Sequence, residues 1–414
     1  MKTMVSVEEA LSLIAGAVVA PTFEIVPVGK ACGRVSAQDI VAAIDQPPFR
    51  ASAMDGYAVR FADAKEGARL RVVGASAAGS PFAGAVGAGE AVRIFTGAAA
   101  PAGADHVVIQ EETQEETREE TSAEESVVVI AAAQAKPSHL RAAGIDFSAG
   151  DILKRAGARL SPIDLGLIAA ANIPEVSVFK RPVVAYVDNG DELCEPGAAL
   201  ADGMIVGSNR FALNALIEEW GGEARYLGRA ADDADAIRRK IEEARGADIL
   251  VTIGGASVGD HDYVKSSFVG CGGEFIFSKI KMKPGKPTWF GRLDRLRALG
   301  LPGNPASAVV CAILFLRPLI ALSSGEGPAP SIVKAVLAAP MPANGSRESY
   351  VRGQLDVDAT GRLIATPNLR EDSSLYSPLA TGDCLIRRPA DAPDAPAGAL
   401  IDCIIYRSSF GARG

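Results

Sequence analysis

Apolar residues recur along this chain with changing spacing, and each spacing predicts a different kind of structure. Residues 6–20 (SVEEALSLIAGAVVA) carry helical spacing, with Ser6 placed to cap and Glu9 to complete a capping box. FEIVPV then reads as strand. Residues 70–135 hold short apolar runs (AVRIF, HVVIQ, SVVVI) among Gly and Ala, which predicts a small β domain. Between the last two runs lies EETQEETREETSAEES, residues 111–126, with eight glutamates. Like charges four apart weaken a helix, so this repeat predicts a solvated hairpin tip between two strands rather than an acidic docking patch.

From Arg181 to about Ser324 strand and helix patterns alternate. Residues 182–187, 223–227, 249–253, 275–277 and 288–290 read as strands. Helices are expected from a cap at Ser208 to Trp220, from a cap at Asp232 to Arg245, and after Pro305. Such alternation predicts a doubly wound α/β domain with a mostly parallel sheet, whose ligands bind outside the carboxyl ends of strands. After GEGPAPS (325–331), the segments VKAVLAA, SYVRGQLDV, LIATPNL and DCLIRRP predict a C-terminal β domain. The expected fold class is multidomain α/β and β. Its parts are a linker or dimerisation domain (1–45 with 142–181), a small β domain (46–141), an α/β domain (182–325) and a C-terminal β domain (326–414).

The chain's 414 residues are too many for one core, in keeping with several domains. A net charge of -8 argues against nucleic-acid binding but leaves room for a local basic pocket. Six scattered cysteines without a CxxC pair read as reduced thiols of a cytoplasmic protein. Three histidines make a His-rich zinc site implausible. No run of about 18 apolar residues predicts a membrane span, and the N-terminus turns acidic too early for a signal peptide.

The candidate chemistry lies in glycine turns, carboxylates and lysines. Asp55 sits in Ser52-Ala53-Met54-Asp55-Gly56-Tyr57-Ala58-Val59, which residue chemistry alone reads as an Asp-Gly turn. Thr96-Gly97 offers a hydroxyl and an N–H to an anion, or forms a plain β-turn. Asn189-Gly190-Asp191-Glu192 follows a strand, where a carboxylate could meet a cofactor or metal, or open a helix. Gly254-Gly255-Ala256-Ser257-Val258-Gly259-Asp260-His261-Asp262 lets the backbone approach a ligand closely, and Asp260 and Asp262 could hold Mg2+. It matches neither GxGxxG nor a P-loop. Lys279, Lys281, Lys283 and Lys286 form a basic island before Pro287, with the first three expected on one side of a strand. Pro302-Gly303-Asn304-Pro305 opens a helix whose free N–H groups suit a phosphate, with Asn304 as cap. There is no Ser-His-Asp triad or Cys-His pair, so the inventory suits positioning an oxyanion-rich substrate and a metal.

In their order and spacing, SAMDGYAV, TGAAAPAGAD, GDEL, GGASVGDHDYVK, KPGKP and LPGNPASA resemble the molybdopterin molybdenumtransferase family, comprising the bacterial MoeA proteins and the E domain of gephyrin. The match covers roughly residues 5–325. The resemblance implies a molybdopterin-binding α/β domain and a homodimer of four-domain subunits. It also implies hydrolysis of adenylylated molybdopterin to release AMP while molybdate is ligated, with Mg2+. Carried over, the catalytic residues are Asp55, Glu192, Asp262, Lys279 and Lys283. Thr96, Asp146, Gly254, Gly255, Ser257, Lys286 and Pro302 would bind substrate, and Asp260 and Asp262 the metal. Other cofactor-biosynthesis proteins or acceptor enzymes are the expected partners. The resemblance also marks departures. Arg50-Ala51 stands where Asp-Asn is frequent, Asp188-Asn189 where Ser-Thr is usual, and Ile145 where the family has an acid. Two other readings remain: the adenylyltransferase acting one step earlier, which shares the α/β module, and a non-catalytic scaffold like the gephyrin E domain.

Overall fold

A computed structural model describes residues 1–118, 125–255, 263–327 and 332–407. Its largest element is a seven-stranded sheet. The strand order is Lys2–Val5, Glu274–Ile280, Trp289–Leu293, Leu296–Leu301, Ile249–Ile253, Val183–Asn189, Glu223–Ala230. Four of its pairings are parallel and two antiparallel, the latter flanking Trp289–Leu293. The central strands are apolar on both sides because helices cover both faces. Ile14, Leu213, Ile217 and the helical stretch after Pro305 pack on Val184, Tyr186 and Val251. Ile237, Ile241 and Phe268 pack on Ala185, Val187 and Leu250.

The helix Pro305–Ser323 is long and apolar enough to cross a membrane, yet 83% of its apolar window is buried inside the fold. It is the central core helix, and its middle turn, Ala312–Leu316, widens to a π-helix. The second expected cap falls one residue later than predicted: Asp233, not Asp232, accepts from the N–H groups of Asp235 and Ala236. At the first helix, Val7–Ala17, Ser6 caps through the Glu9 N–H, but the Glu9 carboxylate turns to Lys2 at 2.6 Å instead of completing a box. Residues 2–17, expected in the linker domain, are seated on the seven-stranded sheet.

A six-stranded sheet follows the order His106–Ile109, Gly56–Val59, Glu90–Ile94, Arg69–Ser76, Glu125–Ile130, Thr113–Arg118. The acidic repeat is therefore not all hairpin tip. Its first half is a paired strand, with Gln114 opposite Val129 and Thr113 opposite Ile130. There Glu115 takes the Tyr57 hydroxyl and Glu116 pairs with Arg69. Residues 119–124 lie outside the described residues.

Short two-stranded sheets join Phe23–Pro27 to Glu175–Phe179 and Ile40–Val41 to Ile152–Lys154. The C-terminal strands Glu348–Val357, Leu363–Pro367, Ile332–Leu337, Leu400–Ile405 and Cys384–Arg388 close into a five-stranded barrel, since the last pairs back with the first. Met282–Lys283 adds to the barrel beside Glu348 and Ser349, tying it to the α/β part.

Candidate functional site

Three strands of the parallel sheet end around one opening. Asn189 ends the first, Gly254 follows the second, and Leu301-Pro302-Gly303 ends the third. Gly254 has φ +85°, and a Cβ there would stand 2.7 Å from the Asn189 carbonyl oxygen. Its N–H donates to the Leu301 carbonyl at 3.1 Å. Glycine is thus what lets the three ends converge. The cavity they enclose measures about 970 Å³.

Glu192, Gly254, Gly255 and Pro302 line this cavity, as the motifs anticipated. Ser257, Asp260 and Asp262 lie outside the described residues. Among the described lining residues there are three acids, Asp188, Glu192 and Asp232, and no lysine or arginine. The nearby Arg210 is paired with Glu195 and lies over the rings of Phe211 and Tyr226. Asp188 is only 4% exposed. Burial pushes its carboxyl up to about 6, against a smaller opposing pull from Arg210. Its Oδ1, both side-chain polar atoms of Asn189, and the Thr252 hydroxyl have no hydrogen-bond partner among the described residues.

A second cavity of about 550 Å³ shares Pro287, Pro302 and Asn304 with the first. Its walls carry Lys283, Lys286, Arg347 and Ser307, together with the acids Glu371 and Asp372. Lys283 is paired with Glu371 at 2.5 Å. Lys286 and Arg347 have no ion-pair partner among the described residues.

The expectation of three lysines on one side of a strand fails. Lys279 has φ +65°, which breaks the alternation, and Lys283 belongs to a separate strand on the barrel. Lys279 lines neither cavity. The helix start at Pro305 is also less open than expected. Pro305 has no N–H, and that of Ala306 donates to the Ser373 carbonyl at 3.0 Å. Asn304 sits at the cap position, but its side chain reaches the Ser373 hydroxyl at 2.8 Å.

Asp55 and Thr96 meet at an exposed loop of the six-stranded sheet, where the Thr96 N–H and hydroxyl both donate to Asp55 Oδ1. These bonds, the N–H first, hold the Asp55 carboxyl below its ordinary range. Asp146 is exposed on another loop, its N–H bound to the Gln46 carbonyl. None of the three lines either cavity in the same chain. Arg352 is a structural residue: it is 1% exposed and donates to the carbonyls of Arg370, Glu371 and Asp372, shaping the loop that carries Ser373 and Ser374. Sequence reasoning missed Arg347 and Ser307, because only the docking of the barrel against the lysine turn brings them together.

Family models match along most of the chain: the MoeA N-terminal region (domains I and II) over residues 5–172, a probable molybdopterin binding domain over 187–322, and the MoeA C-terminal region (domain IV) over 334–406. The chain is 34% identical over 376 residues to a molybdopterin molybdenumtransferase of Haemophilus influenzae, covering 90% of this chain and 91% of that one. The chain belongs to the molybdopterin molybdenumtransferase family. A relative of the same name from Nostoc sp. is 36% identical over 80% of this chain and 77% of its own length. A solved MoeA molybdopterin biosynthesis protein from Pyrococcus horikoshii superposes with TM-score 0.81 at 30% identity, covering 98% of this chain and 100% of that one. A second has TM-score 0.78 at 27% identity, covering 97% and 100%. With this family membership the third domain's α/β fold and the MoeA-type ends are accounted for along one chain.

Proposed function

We propose that this chain inserts molybdenum into adenylylated molybdopterin with release of AMP, as a transferase of molybdenum cofactor biosynthesis. The observation that carries the reading is the pair of adjoining cavities, one with three acids and no lysine or arginine among its described lining residues, the other with Lys283, Lys286 and Arg347 beside Glu371 and Asp372, sharing a wall at Pro287, Pro302 and Asn304. A substrate with a neutral ring and a phosphate tail meets a complementary surface in each part, and molybdate is an anion suited to the basic part. Lys283 and Lys286 hold the oxyanion, and Glu192 faces the phosphoanhydride from the strand end. Water that attacks this anhydride leaves AMP and a pterin phosphate.

Mg2+ suits a cavity lined by carboxylates with no lysine or arginine among its described residues, because a divalent ion would supply the missing positive charge. Asp260 and Asp262 would hold it, and bound there it would neutralise phosphate oxygens. Asp55, Thr96 and Asp146 belong to the site through a homodimer, reaching the cavity from the partner subunit. We also propose the four-domain division given above, with the first strand and helix attached to the α/β domain, and a cytoplasmic location.

Incubating the purified chain with adenylylated molybdopterin, molybdate and Mg2+ tests the reading. Release of AMP with formation of active cofactor is the expected result. Nucleotide addition from ATP would instead identify an adenylyltransferase, and inertness a scaffold.

A further inference from the structure

The acid-lined cavity selects for one end of its ligand. A lone phosphate has no cation among its described lining residues to pair with, and three carboxylates to oppose it. What fits is a group rich in N–H donors. Asp188 is the residue best placed to receive one: it stands one residue before the end of a central strand, lines the cavity, is 4% exposed, and, although Tyr226 bonds its carboxyl group, its Oδ1 has no hydrogen-bond partner among the described residues. A buried carboxylate oxygen without a donor costs free energy, and such an atom facing a cavity is satisfied when a ligand brings the donor. The walls beside it supply apolar surface for a flat ring, from Leu193, Ile205 and Val206.

We propose that Asp188 is a specificity-determining residue that accepts paired hydrogen bonds from the adjacent ring N–H and amino group of a 2-amino-4-oxopyrimidine, the edge that pterins and guanine have in common. Carboxylates take such side-by-side donors in a bidentate manner. The ring then lies at the strand ends, and its phosphate tail points past Pro287 and Pro302 to Lys283, Lys286 and Arg347. Asp188 would thus set the direction in which the substrate enters. The inference rests on the reading of the chain as an enzyme of a phosphorylated pterin.

The test uses GMP and IMP, which differ only in the 2-amino group, titrated calorimetrically into the full-length chain. One charge-assisted hydrogen bond is worth about 1.5–3 kcal/mol, so the wild type should bind GMP roughly 10- to 100-fold more tightly than IMP. In Asp188→Asn, which keeps the shape but loses the second acceptor, the preference should fall to within about threefold. Asp188→Ser is a second variant that removes the carboxylate, and it should lose the preference likewise. Equal binding of the two nucleotides by wild type, no binding of GMP, or a preference that survives in both variants would overturn the assignment. AMP release from adenylylated molybdopterin is measured on the same wild-type sample. Release without a GMP preference removes the role of Asp188 alone. A GMP preference lost in both variants, without AMP release, removes the insertion reading and leaves Asp188 as a ring-reading residue.

Discussion

Thr96 gives Asp55 both of its donors: its backbone N–H and its hydroxyl reach the same carboxylate oxygen, at 2.6 and 2.7 Å. The pair fixes an exposed carboxylate in one orientation on a loop that faces neither cavity of its own chain. Because these bonds favour the charged form, Asp55 keeps its charge to a lower pH than an unbonded aspartate does. Thr96→Val should remove the hydroxyl contact and lower turnover while the fold persists. The acidic limb of the pH–rate profile should not come from Asp55.

If Asp55 serves the partner's cavity, two inactive variants should rescue each other. Asp55→Ala and Asp262→Ala are each expected to fold and to release no AMP. After subunit exchange, mixed dimers hold one intact site and one doubly altered site. About half the dimers are mixed, so activity should return to about a quarter of wild type. No recovery after exchange is verified by mass would refute the shared site.

Lys283 enters the basic cavity already paired with Glu371, whereas Lys286 does not. Lys286→Ala should therefore weaken molybdate binding by about 1.5–3 kcal/mol, roughly 10- to 100-fold in apparent affinity. Glu371→Gln should act in the opposite direction, by freeing the Lys283 ammonium for the anion. Steady-state dependence of cofactor formation on molybdate concentration reads both. A gain of affinity in Lys286→Ala would show that the oxyanion binds elsewhere.

Asp188 makes a prediction about stability. Its carboxyl is raised from 3.8 to about 6 in the folded chain. Between those pH values the folded state holds a proton that the unfolded state has lost, so stability falls as pH rises through the window. Above it the ionised buried acid costs about 2–3 kcal/mol, and below about pH 4 it costs nothing. Asp188→Asn should accordingly stabilise the α/β part at pH 8 and have little effect at pH 4. Both tryptophans, Trp220 and Trp289, lie in that part, so urea unfolding followed by intrinsic fluorescence reports on it selectively. An equal effect at both pH values would show that ionisation is not the cause.

Two glycine substitutions should differ in sign. Gly254→Ala forces a side chain onto φ +85° and to within 2.7 Å of the Asn189 carbonyl oxygen, and should cost about 1–3 kcal/mol. Gly16→Ala, in a helix and with nothing within 4 Å, should stabilise by about 0.5–1 kcal/mol. Denaturant midpoints of the two variants, compared with wild type, check the pair.

Strands with strong apolar runs were legible in sequence, down to both ends of Ile249–Ile253. Leu296–Leu301 was not, because LRALGL lacks alternation. It is buried on both sides, and its Gly300 is covered by the Trp289 ring. Lys2–Val5 is only four residues long and owes its conformation to a partner strand far along the chain. At the site, local motifs revealed Glu192, the glycine turn and the lysines. Lys279 escaped the expected pattern because one residue of left-handed backbone cancels a period of two. The full acidic character of the large cavity was not legible either, since Asp188 and Glu192 share one strand end but Asp232 comes from a separate segment that only the fold brings beside them.

The first strand also fixes an order of events during synthesis. Val5 pairs with Ile280, 275 positions later. At ribosomal speeds of about 5–20 residues per second, the N-terminal segment waits roughly 15–55 s for its partner to be made. Through that interval Val5, Val7 and Ile14, all buried in the finished protein, lack the surface that will cover them. The nascent chain thus carries a sticky leading end, and a chaperone that shields it should raise the yield of folded enzyme more than one acting on the late-made barrel.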